Sequence, residues 1–186
     1  MRKYLALAAA AAMLGACQQS ETAASDAANT AEANKAAAAE GIPEEAIIAL
    51  PTTPPASREA ALKLMHDRHE NYEKMGDAMK LVSRQLKADE PDIVAVRAGA
   101  RTIATFAPQI PSWFPPGTGP DVGKTEAKAE IWQKPEDFAV KAAAMNKAAS
   151  DFYGAAQGND LAATRAAHGN LGKTCKACHD LYREEH

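Results

Sequence analysis

Two thiols and an imidazole fall within five residues near the C-terminal end, in Cys175-Lys176-Ala177-Cys178-His179. Positions i, i+3 and i+4 share a helix face, so on a helix these three side chains point the same way. Thiols so spaced can hold the two vinyl edges of a porphyrin as thioethers, and the adjacent histidine can offer a nitrogen to its iron. This is the spacing of covalent haem attachment. Two other chemistries use a C-x-x-C pair. A thiol redox pair usually sits at a strand-to-helix junction, which this sequence does not show. A zinc site needs two further ligands in a sensible arrangement. The motif therefore predicts one covalent haem c, with Cys175 and Cys178 as thioether donors and His179 as axial iron ligand.

Other residues with chemical potential read more blandly. His66 and His69 are three apart and can share a face, but histidines on a charged helix are usually solvated. His168, seven residues before Cys175, reads as a partly buried packing residue, and His186 is terminal. Met65 and Met79 fit a core stripe. Lys173, Lys176 and Arg183 flank the attachment motif, where they would guide an acidic partner or form an ordinary solvated face. No Ser-His-Asp set, phosphate loop or distinct carboxylate pair stands out, so the chain reads as a non-enzyme. Its formal net charge of −3 argues against a nucleic-acid partner.

The N-terminus reads as a processing signal. Arg2 and Lys3 precede an apolar stretch, Tyr4 to Met13, too short to span a bilayer. Leu14-Gly15-Ala16-Cys17 resembles the lipobox of bacterial lipoproteins, in which the cysteine is lipidated and becomes the new N-terminus. That predicts a signal peptide over 1–16, lipidated Cys17, and a periplasmic location on a membrane. Gln18 in place of an aspartate slightly favours the outer membrane. Losing Arg2 and Lys3 takes the net charge from −3 to −5. All three cysteines then have uses, and an exported chain has no odd thiol left over.

The elements that must position the motif are helical. Residues 17–55 read as a flexible, Ala-rich tether, since Gln18 to Glu40 has almost nothing large to bury. Its later part, Ile42 to Leu50, is apolar enough to dock, and Pro51, Pro54 and Pro55 stiffen the approach to the domain. Residues 56–186 form the domain. A first helix is expected from Ser57, as N-cap, to Lys87, with Ala61, Leu64, Met65, Arg68, Tyr72, Met75, Gly76, Met79, Val82 and Leu86 on one stripe. A second runs from Pro91 to Ala107, ended by Pro108 and Pro111. A long connection comes next, with Trp113 and Phe114 as its anchors. A third helix starts near Pro135 and stops at Gly158. A fourth, capped by Asn159 or Asp160, runs to about Glu184. The fold class is all-α, an antiparallel four-helix bundle with a disordered N-terminal tether.

A C-terminal C-x-x-C-H on the last helix of such a bundle resembles the class II c-type cytochromes, the cytochrome c′ and c556 family, over about residues 57 to 186. Gly172 to His179, Tyr182-Arg183, Phe114-Pro115-Pro116-Gly117, and the spacing of Arg68 and Gly76 carry the resemblance. It implies that Arg68, helped by His69, contacts a haem propionate, and that Arg183 lies near the proximal face. Four residues after the arginine, the family has either a ligating Met or a non-ligating apolar residue. Here stands Tyr72, expected on the distal face. It would pack over the iron, hydrogen-bond a distal ligand or ligate as phenolate. Met75 is the alternative distal ligand. A ligating Met suits single-electron transfer with periplasmic or membrane redox partners. An open distal side would bind NO or CO. The resemblance also implies a homodimer through the first two helices.

Overall fold

The computed structural model describes residues 41–185, with Glu32 and Lys35 ahead of them. The expected signal segment, Cys17, most of the tether and His186 lie outside the described residues. Helix α1 spans Arg58–Lys87. It starts where Ser57, in extended conformation, accepts the Ala60 N–H at 3.2 Å, satisfying one of the donors a helix start leaves open. Ala61, Met65, Arg68, Met75, Val82 and Leu86 of the expected stripe are buried. Leu64 is not, being 37% exposed. The long connection comes down on the other side of α1, where Gly123 meets Leu62 and Met65.

Helix α2 spans Ile93–Phe106, and Asp92 caps it by accepting the Ala95 N–H at 3.0 Å. Pro91 therefore stands ahead of the cap, not in the first turn as its sequence suggests, because the carboxylate of Asp92 offers the better stop. Beyond α2 the prolines do not open the chain. The helix tightens into a 3-10 stretch, Ala107–Trp113, with Pro108 and Pro111 inside it. Short 3-10 pieces are common at helix ends.

A single helical turn, Glu130–Gln133, precedes helix α3, Pro135–Gln157, which opens with proline, Glu136 and Asp137. Helix α4 spans Leu161–Tyr182, and Asp160 caps it through the Ala163 N–H at 3.0 Å. It ends two residues before Glu184, because the chain there pairs with the connection instead. Lys128 N–H donates to the Tyr182 carbonyl at 2.9 Å, and Glu184 N–H donates to that of Glu126 at 2.8 Å.

The four long helices form a bundle in which α1 packs on α2, α2 on α3 and α3 on α4. Small residues let the axes approach. Ala100, Ala107 and Ala149 are fully buried, and a Cβ on Gly99 of α2 would lie 2.5 Å from Val82 Cγ2 of α1. Helices α1 and α4 do not pack closely along their length. They are tied at one end, where His168 Nε2 meets Ser83 Oγ at 3.2 Å and Arg165 Nε donates to the Leu86 carbonyl at 2.9 Å. The C-x-x-C-H motif lies toward the other end of α4. Ahead of α1, Ile42 is buried against Val140, Ala143 and Ala144 of α3, with Ala46 and Ile47 beside it. Leu50 packs on the main core, so this part of the 17–55 segment lies on the bundle. Among the described residues, no helix is long and apolar enough to cross a membrane.

Candidate haem site

Cys175 and Cys178 are free thiols, both partly buried, and both pack against the main core along with Tyr72. Burial raises both thiol pKa values. That of Cys178 is pushed up to about 12, with Cys175 and Asp137 adding to the effect and Lys141 opposing it. His179 comes next on the same helix face and is exposed. Desolvation still lowers its pKa, and Arg183 lowers it further against the opposing carboxylates of Asp180 and Glu126. Its imidazole is thereby favoured in the neutral form that can ligate a metal.

On the facing helix, Tyr72 of α1 lies near enough to both thiols for them to act on its phenol. Its ring stands edge-on to Trp113 at 5.2 Å and is tilted against Phe114 at 6.3 Å. Burial, then the nearby Cys178, holds its phenol well above the ordinary tyrosine range, although Arg68 pulls the other way. The hydroxyl is therefore neutral, and it makes no hydrogen bond among the described residues. Met75, one turn on, is buried in the core beside Tyr72.

Arg68 is only 4% exposed, and the long connection wraps around it. Its Nη1 donates to the Trp113 carbonyl and to Thr118 Oγ1, each at 3.3 Å. Its Nη2 donates to the Thr118 carbonyl at 3.0 Å and to Thr125 Oγ1 at 3.1 Å. The guanidinium also lies over the Phe114 ring at 4.6 Å, a favourable cation–π arrangement. All these acceptors are neutral. Among the described residues no carboxylate pairs with Arg68, and burial lowers its pKa to about 10.

The remaining site candidates are more peripheral. His69 points outward and faces Glu73 at 3.4 Å, with both side chains about 60% exposed. Arg183 is bound to Glu126 at 2.7 Å, and Lys176 to Asp180 at 2.7 Å, so two of the three cations around the motif are neutralised within the chain. Thr118 and Thr125, which hold Arg68, and the contact of Trp113 with Tyr72 are not among the features that the sequence alone points to. A threonine between Gly117 and Gly119, in a turn beside two large aromatics, was the available signal. Nor does the sequence alone point to Asp137, whose carboxylate accepts the Tyr182 hydroxyl.

The arrangement suits a haem. Two thiols and a neutral imidazole share one helix face, α1 and α4 stand apart beside them, and a buried uncompensated guanidinium offers a counter-charge for a carboxylate. Residues 63–183 match the model of the cytochrome c′ family. The chain belongs to that family.

Relatives agree with this. The chain is 34% identical to cytochrome c′ of Rhodospirillum rubrum over 140 residues, covering 75% of this chain and 95% of that one. It is 38% identical to cytochrome c-556 of Agrobacterium tumefaciens over 110 residues, covering 59% and 87%. In structure it resembles a cytochrome c′ with ligand-controlled dimer dissociation, at a TM-score of 0.63 and 29% identity. That match covers 71% of this chain and all of the other. The cytochrome c′ family carries covalently attached haem c, so this chain is a haem c protein.

Proposed function

We propose that the chain is a single-electron carrier of the periplasm, held on a membrane by lipidated Cys17 and a tether. The observation that carries the reading is the C-x-x-C-H face of α4 lying opposite Tyr72 and Arg68 of α1. Bound there, the haem iron would take up and release one electron, and an open coordination position would accept a diatomic gas. The residues of the chain supply the rest. Cys175 and Cys178 anchor the group covalently, so it is not lost by dilution. His179 would ligate its iron. Arg68 supplies positive charge for a propionate, and its loop bonds hold it in place without a competing carboxylate. The tether confines the carrier near membrane partners and raises its encounter frequency with them. Specific charge steering contributes little, since Lys176 and Arg183 are already paired.

A second reading, binding of NO or CO at the distal position, is favoured by one residue. Tyr72 is a neutral phenol in an aromatic setting, which suits it poorly as a phenolate ligand and leaves its hydroxyl available. Absorption spectra of the ferric and ferrous protein show whether the distal position is open or filled. We expect a high-spin ferric spectrum with Tyr72 non-ligating. A low-spin spectrum with a sulfur-to-iron charge-transfer band would assign Met75 as ligand and remove the gas-binding reading. Prompt NO or CO binding by a high-spin form would remove the Met-ligated carrier. We further propose that two copies pair through α1 and α2, which analytical ultracentrifugation checks directly.

A further inference from the structure

His179 stands in the last turn of α4, and helix ends fray unless something holds them. The position of its ring depends on the turn beneath it. That turn is held on two sides. The connection clamps its backbone through the Lys128–Tyr182 and Glu126–Glu184 hydrogen bonds and the Ala127–Arg183 bridge. The second hold is a side chain. Tyr182, one turn after Cys178, is 4% exposed and stands edge-on to Phe138 at 5.2 Å. Its hydroxyl donates to Oδ2 of Asp137 in the first turn of α3. The helix start at α3 favours a carboxylate there, and a hydrogen bond onto an ionised acceptor is about twice as strong as a neutral one. Cys178 lies four residues before Tyr182 on the same face of α4, so the carboxylate that Tyr182 bonds stands on the side of the bundle that carries the attachment cysteine.

We propose that Asp137 and Tyr182 are a positioning pair for the haem site. Tyr182 fixes the turn that carries His179, and Asp137 places a fixed negative charge beside the attachment cysteine that favours the oxidised, more positive iron. The inference rests on the haem reading above, but it concerns two residues that the reading does not use.

The test compares the haem-loaded wild type with Asp137→Asn and Tyr182→Phe. Asp137→Asn keeps an acceptor for the tyrosine and removes the charge. We expect it to shift the ferrous-to-ferric equilibrium toward ferrous by up to about tenfold, a rise of up to about 59 mV in midpoint potential. Asp137→Glu should restore the wild-type value in part. Tyr182→Phe keeps the charge and the ring. We expect faster amide exchange at Arg183 and Glu184, and a broadened ferric electron-spin-resonance signal from a less fixed axial histidine. Unchanged potential in Asp137→Asn, or unchanged exchange and linewidth in Tyr182→Phe, would overturn the proposal. If the wild type itself carried no covalent haem, the haem reading would fail first. The exchange comparison would then still test whether Tyr182 holds the turn.

Discussion

At the scale of single residues, the distinctive feature is a buried cation satisfied entirely by neutral oxygens. A guanidinium out of water is costly unless its hydrogen bonds are complete, and four loop oxygens complete most of them for Arg68. Replacing it takes this donor from the Trp113 and Thr118 carbonyls and from Thr118 Oγ1, whereas Thr125 Oγ1 keeps the Ala127 N–H at 3.2 Å. Arg68→Met, which keeps the apolar stem, should cost about 2–3 kcal/mol of unfolding free energy in chemical denaturation. His168 makes a second prediction. Burial, then Lys87, lowers its pKa from 6.5, so the folded state prefers the neutral ring and the unfolded chain binds the proton more readily. The stability it contributes is complete above the unfolded value of 6.5 and is lost as pH falls through the lower folded value. Denaturation curves across that range should show this acid-side loss in the wild type and a shallower one in His168→Gln. Legibility at this scale is uneven. Cys175, Cys178 and His179 can be read because their chemistry depends on spacing along one helix. Thr118, Thr125 and Asp137 cannot, because each acts on a residue at least 45 positions away.

At the scale of elements, helix starts are more legible than helix ends. Ser57 and Asp160 cap where the sequence places caps, since capping is a local hydrogen bond. The ends of α2 and α4 differ from expectation because neighbouring segments decide them. A 3-10 continuation extends the first, and pairing with residues 126–128 cuts the second short. Periodicity likewise puts Leu64 in the core, because it shows which residues share a face, not which face a distant loop will cover. The contact between α1 and α2 gives a test of packing. A methyl group at Gly99 would meet Val82 Cγ2 at 2.5 Å, and Val82 is fully buried. Gly99→Ala should therefore destabilise the bundle by about 1–3 kcal/mol despite alanine's better helix propensity. Gly154→Ala, with nothing within 4 Å of the new methyl, should instead gain up to about 1 kcal/mol. Thermal unfolding of the two variants side by side would show opposite signs.

At the scale of the whole molecule, the bundle divides the labour between its ends. His168, Ser83, Arg165 and Leu86 tie α1 to α4 at one end. At the other, the helices stand apart, and the long connection packs Trp113 beside Tyr72 and locks Arg68. An alanine-rich core with few large side chains makes such a bundle depend on close helix approach, and a bound porphyrin adds apolar surface that the chain itself lacks. The N-terminal segment from Ile42 to Leu50 lies against this framework through Ile42, Ala46, Ile47 and Leu50. Every function proposed for the molecule depends on haem being bound covalently to α4. Haem staining of the protein after expression with a cytochrome c maturation system, boiling and denaturing electrophoresis tests that directly. The wild type should keep its haem through denaturation, and the double variant Cys175→Ser/Cys178→Ser should lose it. A wild type without haem, or a double variant that still retains it, would contradict the account.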